Sequence, residues 1–441
     1  MKIITLTTLV LVLFLSACVN GPSRQTNIIY NSHLKKNDLV DSAPLNYSIS
    51  ADAGPSTLVD LSLQYNPRVQ ALRSRALRLY EKLPQSRALP DPKATLALGS
   101  LPETAAGRVD AVVGLNQKVP FPGKRKAATL AALEISLAAD AELQAFELKL
   151  TEQVYSAYWD YYLASTSASI SRKSKDVLHA VEESVAAKVA TNQGDQADQL
   201  RVANEITNID RDLVQALQLE KTAAAKLNSL LNRPAGAKLP AIRSLPFKNP
   251  KNLSLLITQA ETAHPEVLSA RHRVEAFKHQ LKRAKLEKYP DLTFGIQGAA
   301  VSSNGMAPSA NGRDQIFGTL GFNIPLWQEP RKAMIREAQA GIDETTALVD
   351  STKANLRYRI EDSYFRAQSA HEVSELFSTR LIPNSKQAYE VTLAGYSAGT
   401  QSFTNVIDTW KQWVTYQLQF VKNQAQLGKA IATLNAATGI K

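Results

Sequence analysis

The sequence predicts a mainly α-helical fold that combines very long helices with pairs of short β-strands, arranged as two tandem structural repeats. Three observations support this prediction. Residues 124–193 contain neither proline nor glycine, the two residues that break or weaken helices. Short stretches that alternate apolar with small or polar residues precede the long helical segments, which is the pattern of β-strands. The chain also repeats itself with a period of roughly 205 residues.

The stretch 124–193 predicts one helix roughly 105 Å long, at about 1.5 Å per residue. Its apolar residues recur every three or four positions, for example at Leu143, Phe146 and Leu150. This spacing is typical of a helix with one buried face. A compact core built from 441 residues cannot enclose so long a helix. We therefore expect it to pack along other long helices.

The internal repeat is defined by matches that occur in the same order in both halves. They pair Asn66-Pro67 with His264-Pro265, residues 120–127 with 325–333, Tyr158-Trp159 with Tyr364-Phe365, and Gly194 with Gly399. Ordered matches at a nearly constant separation indicate two copies of one structural unit.

Each repeat is predicted to contain a first helix, a β-hairpin, a very long helix and a shorter return helix. The first repeat spans 56–233, the second spans 251–441, and the proline-rich segment 234–250 links them. The elements of the first repeat are a helix at 56–83, a hairpin at 93–119, and helices at 124–193 and 195–233. Those of the second are a helix at 251–288, a hairpin at 291–325, and helices at 331–397, interrupted at Gly341 and Pro383, and at 400–438.

Residues 1–17 are predicted to be a secretory signal peptide, because Lys2 precedes an apolar run from Ile3 to Leu15. The tetrad that ends in Cys18 resembles the lipobox of bacterial lipoproteins, and Cys18 is the only cysteine in the chain. We therefore expect Cys18 to be lipidated and residues 18–55 to form a polar, lipidated N-terminal arm. By the same resemblance, Val19 after the cysteine indicates the outer membrane.

The formal net charge is +11, and a basic balance can indicate a nucleic-acid partner. Here the Lys and Arg residues are scattered and not clustered, and the export signal places the chain outside the cytoplasm. We therefore expect no nucleic-acid partner, and contact with outer-membrane lipid instead.

The four predicted strands are each near ten residues, the length that a tilted transmembrane strand requires. Four strands cannot close a barrel, and an open sheet edge is not tolerated in lipid. Eight strands enclose an interior filled by side chains, so twelve strands from three copies form the smallest closed assembly expected to conduct. The sequence therefore predicts a homotrimer whose 12-stranded β-barrel continues into a long α-helical barrel.

Together the lipobox, the tandem halves, the turn at 120–125 and the segment 396–408 resemble the TolC family of outer-membrane efflux factors. The resemblance implies a lipid-anchored homotrimeric channel in the outer membrane that extends into the periplasm. It also implies two partners, a periplasmic membrane-fusion adaptor and an inner-membrane RND-type or ABC-type pump. The segment 89–93, together with the turn at 121–125, resembles the metal-cation efflux subset of the family. The exported substrates are therefore expected to be metal cations or drugs.

In this family the glycine turns between long and return helices form the periplasmic gate where the adaptor docks. The resemblance places Gly194, with Asp195 and Asp198 after it, and Gly399 at this tip. Tyr396 and Gln401 match positions that tie neighbouring helices together. Asn405 and Asp408 match two positions that are often acidic, so one carboxylate ring is lost and one is kept. The alternative for Asp408 is a solvated helix residue.

No catalytic group is evident, and we expect neither an enzyme nor a cofactor other than the covalent lipid on Cys18. The six histidines are scattered; His272 and His279 lie two helical turns apart, too far for joint ligation of one metal. We read the histidines as surface or capping residues and predict no metal site. The aromatic cluster at 155–162 is predicted to pack between helices. Two alternatives to efflux are a type I protein-secretion conduit and a non-conducting periplasmic coiled-coil scaffold.

Overall fold

The computed structural model describes residues 47–50, 53–99, 103–192, 194–240, 252–303, 305–306, 309 and 311–440. The predicted signal peptide 1–17, the lipidation site Cys18 and most of the arm lie outside these residues, as do positions 241–250 of the linker. The chain divides into two compact units. The sheet unit comprises Arg73–Ala141 and Ser269–Asp350. The helical unit comprises Glu142–Leu268, Ser351–Lys441 and the described residues before Arg73.

The strands of both repeats form a single antiparallel sheet. Its order is β1-β3-β4-β5, and the short β2 pairs with β3. The junction of the two repeats lies at the centre of the sheet, where β3 pairs with β4. The strands are β1 (Lys93–Leu98), β2 (Glu103–Thr104), β3 (Gly107–Val119), β4 (Leu292–Val301) and β5 (Gln315–Phe322).

The helices account for most of the described residues and confirm the mainly α-helical class. In the first repeat they are α1 (Pro55–Tyr65), α2 (Pro67–Tyr80), α3 (Lys82–Arg87), α4 (Lys124–Ala190) and α5 (Gln196–Leu230). In the second they are α6 (Leu253–Ala263), α7 (Pro265–Leu286), α8 (Gln328–Leu376), a π-helical turn (Phe377–Leu381), α9 (Ile382–Ser397) and α10 (Phe403–Thr438).

The first helix of each repeat is divided at the residue before a proline, where the sequence predicted one continuous helix. The residue before a proline avoids helical backbone angles, whereas proline itself suits the first helical turn. Asn66 accepts the Arg68 N–H at 2.9 Å, and His264 accepts the Glu266 N–H at its Nδ1 at 3.2 Å. The two repeats therefore share the same capped break.

Glycine and proline act differently from expectation in the second long helix. Gly341 does not interrupt α8. A Cβ at this position would lie 2.4 Å from the Phe277 ring, so the glycine allows α7 and α8 to pack closely. Pro383 follows the π-helical turn 377–381. That wider turn takes up the disruption that a proline imposes on the preceding helical turn. The helix therefore continues through both positions with one local bulge.

The helical unit has an aromatic core, as the sequence predicted. Tyr158, Trp159 and Tyr162 are buried, and the Trp159 and Tyr162 rings meet edge to face at 5.3 Å. Gly428 on α10 faces the indole, since a Cβ at this position would lie 1.9 Å from Trp159 Cε2. This close approach fixes the distance between α4 and α10 here.

No helix among the described residues is both long enough and apolar enough to cross a membrane.

Candidate functional site

The sheet has two chemically different faces, and its register shows which residues share each face. Leu96 lies opposite Val113, Leu115 lies opposite Ile296, and Phe294 lies opposite Leu320. These side chains form one apolar face that runs across all four main strands. The large, exposed members of this apolar face are Leu96, Leu98, Val113, Leu115, Leu292, Phe294, Ile296, Ile316, Leu320 and Phe322.

The opposite face carries mainly small and polar residues, with Val112 and Phe317 as larger apolar members. A Cβ at Gly295 would lie 2.2 Å from Thr319 Oγ1 and 2.3 Å from Asn116 Oδ1. The glycine therefore lets two polar side chains from neighbouring strands cross over the sheet. Gln297 and Thr95 lie on this same polar face. A sheet with one exposed apolar face and one largely polar face is typical of a strand array between lipid and water.

The sheet is open at both sides within one chain. In the part of the chain that the structure describes, β1 pairs only with β3 and β5 pairs only with β4. All six residues of β1 are exposed, and seven of the eight residues of β5 are exposed. Each edge therefore presents backbone N–H and C=O groups to a further strand.

A buried ion pair joins the repeats at one end of the sheet. Lys124, at the start of α4, contacts Asp291 through Nζ and Oδ1 at 2.8 Å, and both side chains are largely buried. Asp291 Oδ1 also accepts the Phe121 N–H at 2.9 Å, and Lys118 Nζ lies 3.1 Å from Oδ2. Burial alone would raise the pKa of Asp291, but the bonds from Lys124, Phe121 and Lys118 outweigh burial and lower it. The carboxylate therefore stays ionised and holds the turn that leads from β3 into α4.

The strand-to-helix turns of both repeats are fastened in the same way. Arg125 donates to the backbone oxygen of Arg87, at the end of α3. Arg331 donates to the backbone oxygen of Glu287, just after α7, at 3.0 Å. A cationic side chain at the carboxyl end of a helix satisfies carbonyls that the helix leaves free. These equivalent contacts confirm the internal repeat at the level of single hydrogen bonds.

The first predicted tip turn, between α4 and α5, uses a different residue from the one expected. Gly194 does not adopt a left-handed conformation; Asn192 does, with φ of 61°. Asp195 caps α5 by accepting the Ala197 N–H at 2.9 Å. Asp198 lies in the first turn of α5 and is 3.4 Å from Arg201. Burial raises the pKa of Asp198, with Asp195 adding to the shift and Arg201 opposing it.

The second tip turn, between α9 and α10, has glycine at its left-handed position. Gly399 has φ of 77° and its N–H donates to the Tyr396 carbonyl at 3.1 Å. Gln401 accepts a hydrogen bond from the Asn405 side chain at 2.9 Å, within its own turn. Asp408 is exposed one helical turn beyond Asn405. Within one chain Gln401 therefore lies against Gly395 near the end of α9, whereas Asn405 and Asp408 are exposed.

Tyr396 joins the two long-helix segments at the tip. Its ring is buried, packs against Phe403 at 5.4 Å and lies 4.1 Å below Lys188 Nζ. Lys188 also donates to the Tyr396 carbonyl. Burial raises the pKa of the Tyr396 hydroxyl, and the charge of Asp198 adds to the shift. The sequence analysis singled out Tyr396 but missed Lys188, because only the folded chain brings α4 and α9 together.

A second link closes the tip between the two return helices. Arg201 on α5 donates to Thr404 Oγ1 on α10 at 2.7 Å, and Lys411 lies 2.6 Å from Glu205. Below them, an apolar cluster with Val202, Phe403 and Trp410 at its centre is buried. The tip of a single chain is therefore a packed bundle of four helical segments.

Among the described residues, no group of three or more His, Cys, Asp or Glu side chains is arranged to hold a metal ion. His264 is buried, with Nε2 donating to the Ala436 carbonyl at 3.1 Å. His272 contacts Glu134 at 2.7 Å. These two histidines serve as structural hydrogen-bond partners.

Comparison with known proteins adds three findings. Residues 256–440 match the sequence profile of a family described as Outer membrane efflux protein. The chain is 22% identical over 400 residues to the cobalt-zinc-cadmium resistance protein CzcC of Cupriavidus metallidurans, covering 88% of this chain and 91% of CzcC.

Solved structures share the fold at low sequence identity. The outer membrane protein VceC of Vibrio cholerae has a TM-score of 0.73 and 18% identity, with coverage of 87% of this chain and 96% of VceC. CusC, described as forming a transmembrane channel, has a TM-score of 0.74 and 16% identity, with coverage of 91% and 97%. The similarity therefore extends over nearly the whole described chain.

Proposed function

We propose that this chain, whose residues 256–440 match the Outer membrane efflux protein family and which is 22% identical to CzcC, is the outer-membrane channel of a tripartite system that exports metal cations. It is a channel protein and not an enzyme. Members of the family work with a periplasmic adaptor and an inner-membrane pump. The conduit itself is passive: it offers a path, and the pump supplies the energy.

The observation that carries this proposal is the uncovered two-faced sheet. Its apolar face suits the hydrocarbon of a bilayer, and its polar face suits a water-filled lumen. β3 and β4 have 13 and 10 residues, enough to span the hydrocarbon core when tilted. The edge strands β1 and β5, with 6 and 8 residues, are shorter than the ten or so that the sequence predicted. Because four strands leave two open edges, we assign the working channel to a homotrimer with twelve main strands.

The remaining parts of the proposal rest on the sequence and the family. We assign Cys18 as the lipid-bearing residue that anchors the chain to the outer membrane. The tip at 188–205 and 396–411 is the proposed gate and docking surface for the adaptor. Asp408, exposed near the start of α10, is the residue that we assign to a carboxylate ring around the pore.

Metal cations are proposed as the cargo because of the similarity to CzcC. The cargo is tested in a host that lacks its own outer-membrane component but keeps a cobalt-zinc-cadmium pump and adaptor. Expression of this chain is expected to restore resistance to zinc, cobalt and cadmium. Secretion of a type I protein substrate, with no gain in metal resistance, would favour the alternative conduit.

Channel activity itself is tested with purified protein in a planar bilayer. We expect discrete single-channel conductance and heat-modifiable migration in gels. An Asp408→Asn channel is expected to lose part of its cation preference, because three carboxylates around a pore attract cations. Unchanged selectivity would remove Asp408 from the pore, and absence of any conductance would support the periplasmic scaffold instead.

A further inference from the structure

The basic residues are scattered along the sequence, but folding gathers many of them at one end of the sheet. The start of β1, the end of β3, the start of β4 and the end of β5 lie at this same end. The segments that connect these strand ends to the helices are 81–93, 117–126, 282–291 and 327–337. They contain 14 Lys and Arg and 6 Asp and Glu, so they hold eight of the eleven excess positive charges of the chain.

The opposite end of the sheet has no such excess. Its segments, 99–110 and 302–314, contain two basic and three acidic residues. The sheet is therefore strongly basic only at the end where its strands meet the helices.

Half of the acidic residues at the basic end are paired with neighbouring cations. Asp291 is held by the bonds described above. Glu287 lies 3.0 Å from Lys124, and Glu329 lies 2.9 Å from Arg336. These pairs leave other cations at this end of the sheet without a carboxylate.

Three such cations form a lysine stripe at the carboxyl end of α7. Lys282, Lys285 and Lys288 recur every three residues and are exposed. No carboxylate in the described part of the chain forms an ion pair with any of them. Lys288 Nζ lies 5.0 Å from the centre of the Tyr289 ring, which stacks on Phe121 at 4.5 Å. The stripe therefore ends beside the turn that follows β3.

Exposed apolar side chains lead from the sheet to the lysine stripe. They continue from Phe322, the last residue of β5, through Ile324 and Leu326 to Trp327, which is 78% exposed. Arg331 donates to the carbonyls of both Trp327 and Glu287. Trp327 is therefore held next to the carboxyl end of α7, beside the lysines.

We propose that Lys282, Lys285, Lys288 and Trp327 form a binding surface for anionic phospholipid in the leaflet on the side of the helices. The inference rests on the proposed channel and adds the class of lipid and the residues that select it. In that channel the apolar face of the sheet lies in hydrocarbon, so this end of the sheet lies among headgroups. Tryptophan is typical of that level of a membrane, and clustered lysines there attract anionic lipids.

The charges select among the lipids that this surface could meet. A phosphatidylglycerol headgroup carries a phosphate without a compensating ammonium, whereas phosphatidylethanolamine carries both. The phosphates of lipopolysaccharide belong to the outer leaflet, and the end of the sheet that would face them has no excess of positive charge. Lys93 and Lys118 lie on the polar face of the sheet and are not part of the surface.

The test measures quenching of Trp327 fluorescence by brominated lipids in vesicles that contain the reconstituted full-length protein. Brominated phosphatidylglycerol and brominated phosphatidylethanolamine are compared at equal mole fraction. The chain has four tryptophans, so a Trp327→Phe variant supplies the signal of the other three. Each lysine beside an anionic headgroup favours that lipid by about fivefold. We therefore expect wild type to prefer phosphatidylglycerol by at least about tenfold, and the preference to fall at high salt.

The variant that removes the stripe is Lys282→Gln/Lys285→Gln/Lys288→Gln. It is expected to reduce the preference to less than about twofold while Trp327 remains quenched by both lipids. The matched control is Lys173→Gln/Lys221→Gln/Lys422→Gln, which removes the same charge from exposed positions of the helical unit. This control is expected to keep the wild-type preference.

Conductance separates this inference from the proposed function. Conducting wild-type channels that show no preference between the two lipids would overturn the lipid surface alone. Loss of the preference in both triple variants would also overturn it, because the preference would then follow net charge and not the stripe. Conducting channels in which neither lipid quenches Trp327 would refute its place at the headgroups. Protein that neither inserts nor conducts would overturn the proposed channel itself.

Discussion

At the scale of single residues, the stability of the sheet unit depends on the buried ion pair between Lys124 and Asp291. Lys124 and Asp291 are 6% and 11% exposed. Removing Asp291 leaves the buried Lys124 with Glu287, at 3.0 Å, as its remaining carboxylate partner. Breaking such a pair typically costs several kcal/mol, whereas exposed ion pairs contribute little.

Asp291→Asn is therefore expected to lower the free energy of unfolding by about 3 kcal/mol, measured by denaturant titration in detergent. The control is Glu390→Gln, which removes a pair to Lys386 whose side chains are 59% and 56% exposed; it is expected to cost less than about 0.5 kcal/mol. Equal effects of the two variants would contradict a special role for the buried pair.

Because the pKa of Asp291 is lowered, the contribution of this carboxylate to stability is present at neutral pH. It is lost only when the pH is low enough to protonate the carboxylate in the folded protein.

His264 gives the helical unit a pH dependence in a milder range. Burial lowers its pKa, with Arg359 adding to the shift and with the Ala436 carbonyl and Glu266 opposing it. The unfolded chain then binds a proton near the ordinary histidine pKa of about 6.5, before the folded chain does. Stability is therefore full above about pH 6.5 and falls as the pH drops below that value.

His264→Asn is expected to flatten this dependence between about pH 7 and 5, measured as the melting temperature across that range. Asparagine retains an acceptor for the Glu266 N–H, as Asn66 does in the other repeat, so the capped break is kept. The same acid-induced loss of stability in the variant and in the wild type would exclude His264 as its source.

The sequence predicted capping histidines and a tip at Gly194 and Gly399, but not how each turn is made. Asn192 holds the left-handed position of the first turn, and asparagine adopts that conformation more often than most residues other than glycine. A glycine pattern alone therefore identified the turn but not its left-handed residue. The contact of Lys188 with Tyr396 joins positions 208 residues apart, and no local pattern reports a contact of that kind.

At the scale of elements, the helices are positioned by places where two backbones approach closely. Gly428→Ala is expected to destabilise the helical unit by about 1–3 kcal/mol, the usual cost of overpacking, because its Cβ would overlap the Trp159 ring. Thermal unfolding and the near-UV signal of tryptophan would both report the change.

The matched control is Gly236→Ala, where a Cβ meets nothing within 4 Å and φ is not left-handed. This variant is expected to be neutral or slightly stabilising, because alanine restricts the unfolded chain. If both alanine variants had the same stability as wild type, the Trp159 contact would not set the helix spacing.

The sequence predicted where the helices lie, but it predicted only some of the positions at which they are interrupted. The stretch without proline or glycine correctly predicted α4 as one helix of 67 residues. Pro67 and Pro265 start new helices, whereas Pro383 is absorbed by the π-helical turn. The outcome at a proline depends on whether the surrounding packing favours a continuous axis, and this information lies in the tertiary structure.

At the scale of the whole molecule, the proposed channel places the apolar face of the sheet against lipid. Ile296→Arg places a charge on the apolar face. If the residue lies near the bilayer midplane, the variant is expected to lower the stability of the membrane-inserted sheet by about 2–4 kcal/mol, and so to reduce strongly the yield of assembled channel. The yield of heat-modifiable oligomer in outer-membrane fractions is the measurement.

The neighbouring variant Gln297→Arg is the control, because this residue lies on the polar face of the same strand. It is expected to assemble normally and to change conductance or ion preference. If Gln297→Arg blocked assembly while Ile296→Arg was tolerated, the two faces would have to be exchanged.

The fold class was predicted from sequence, because helix length, strand alternation and the duplication are all properties of the linear pattern. The union of both hairpins into one sheet was not visible in the same way. It depends on β3 meeting β4, 173 positions apart at their last and first residues, Val119 and Leu292. The Lys124–Asp291 ion pair fastens the two repeats together at the end of these strands.

The central junction between β3 and β4 also affects how the complete channel comes together. Because one polypeptide supplies both halves of the junction, β3 and β4 meet at the high local concentration that a covalent tether provides. A ring with a given number of strands then needs half as many independent bodies as it would with unlinked repeats. Each association avoided saves translational and rotational entropy worth at least about 4 kcal/mol. Duplication within the chain thus makes ring formation from dilute subunits in the periplasm more favourable.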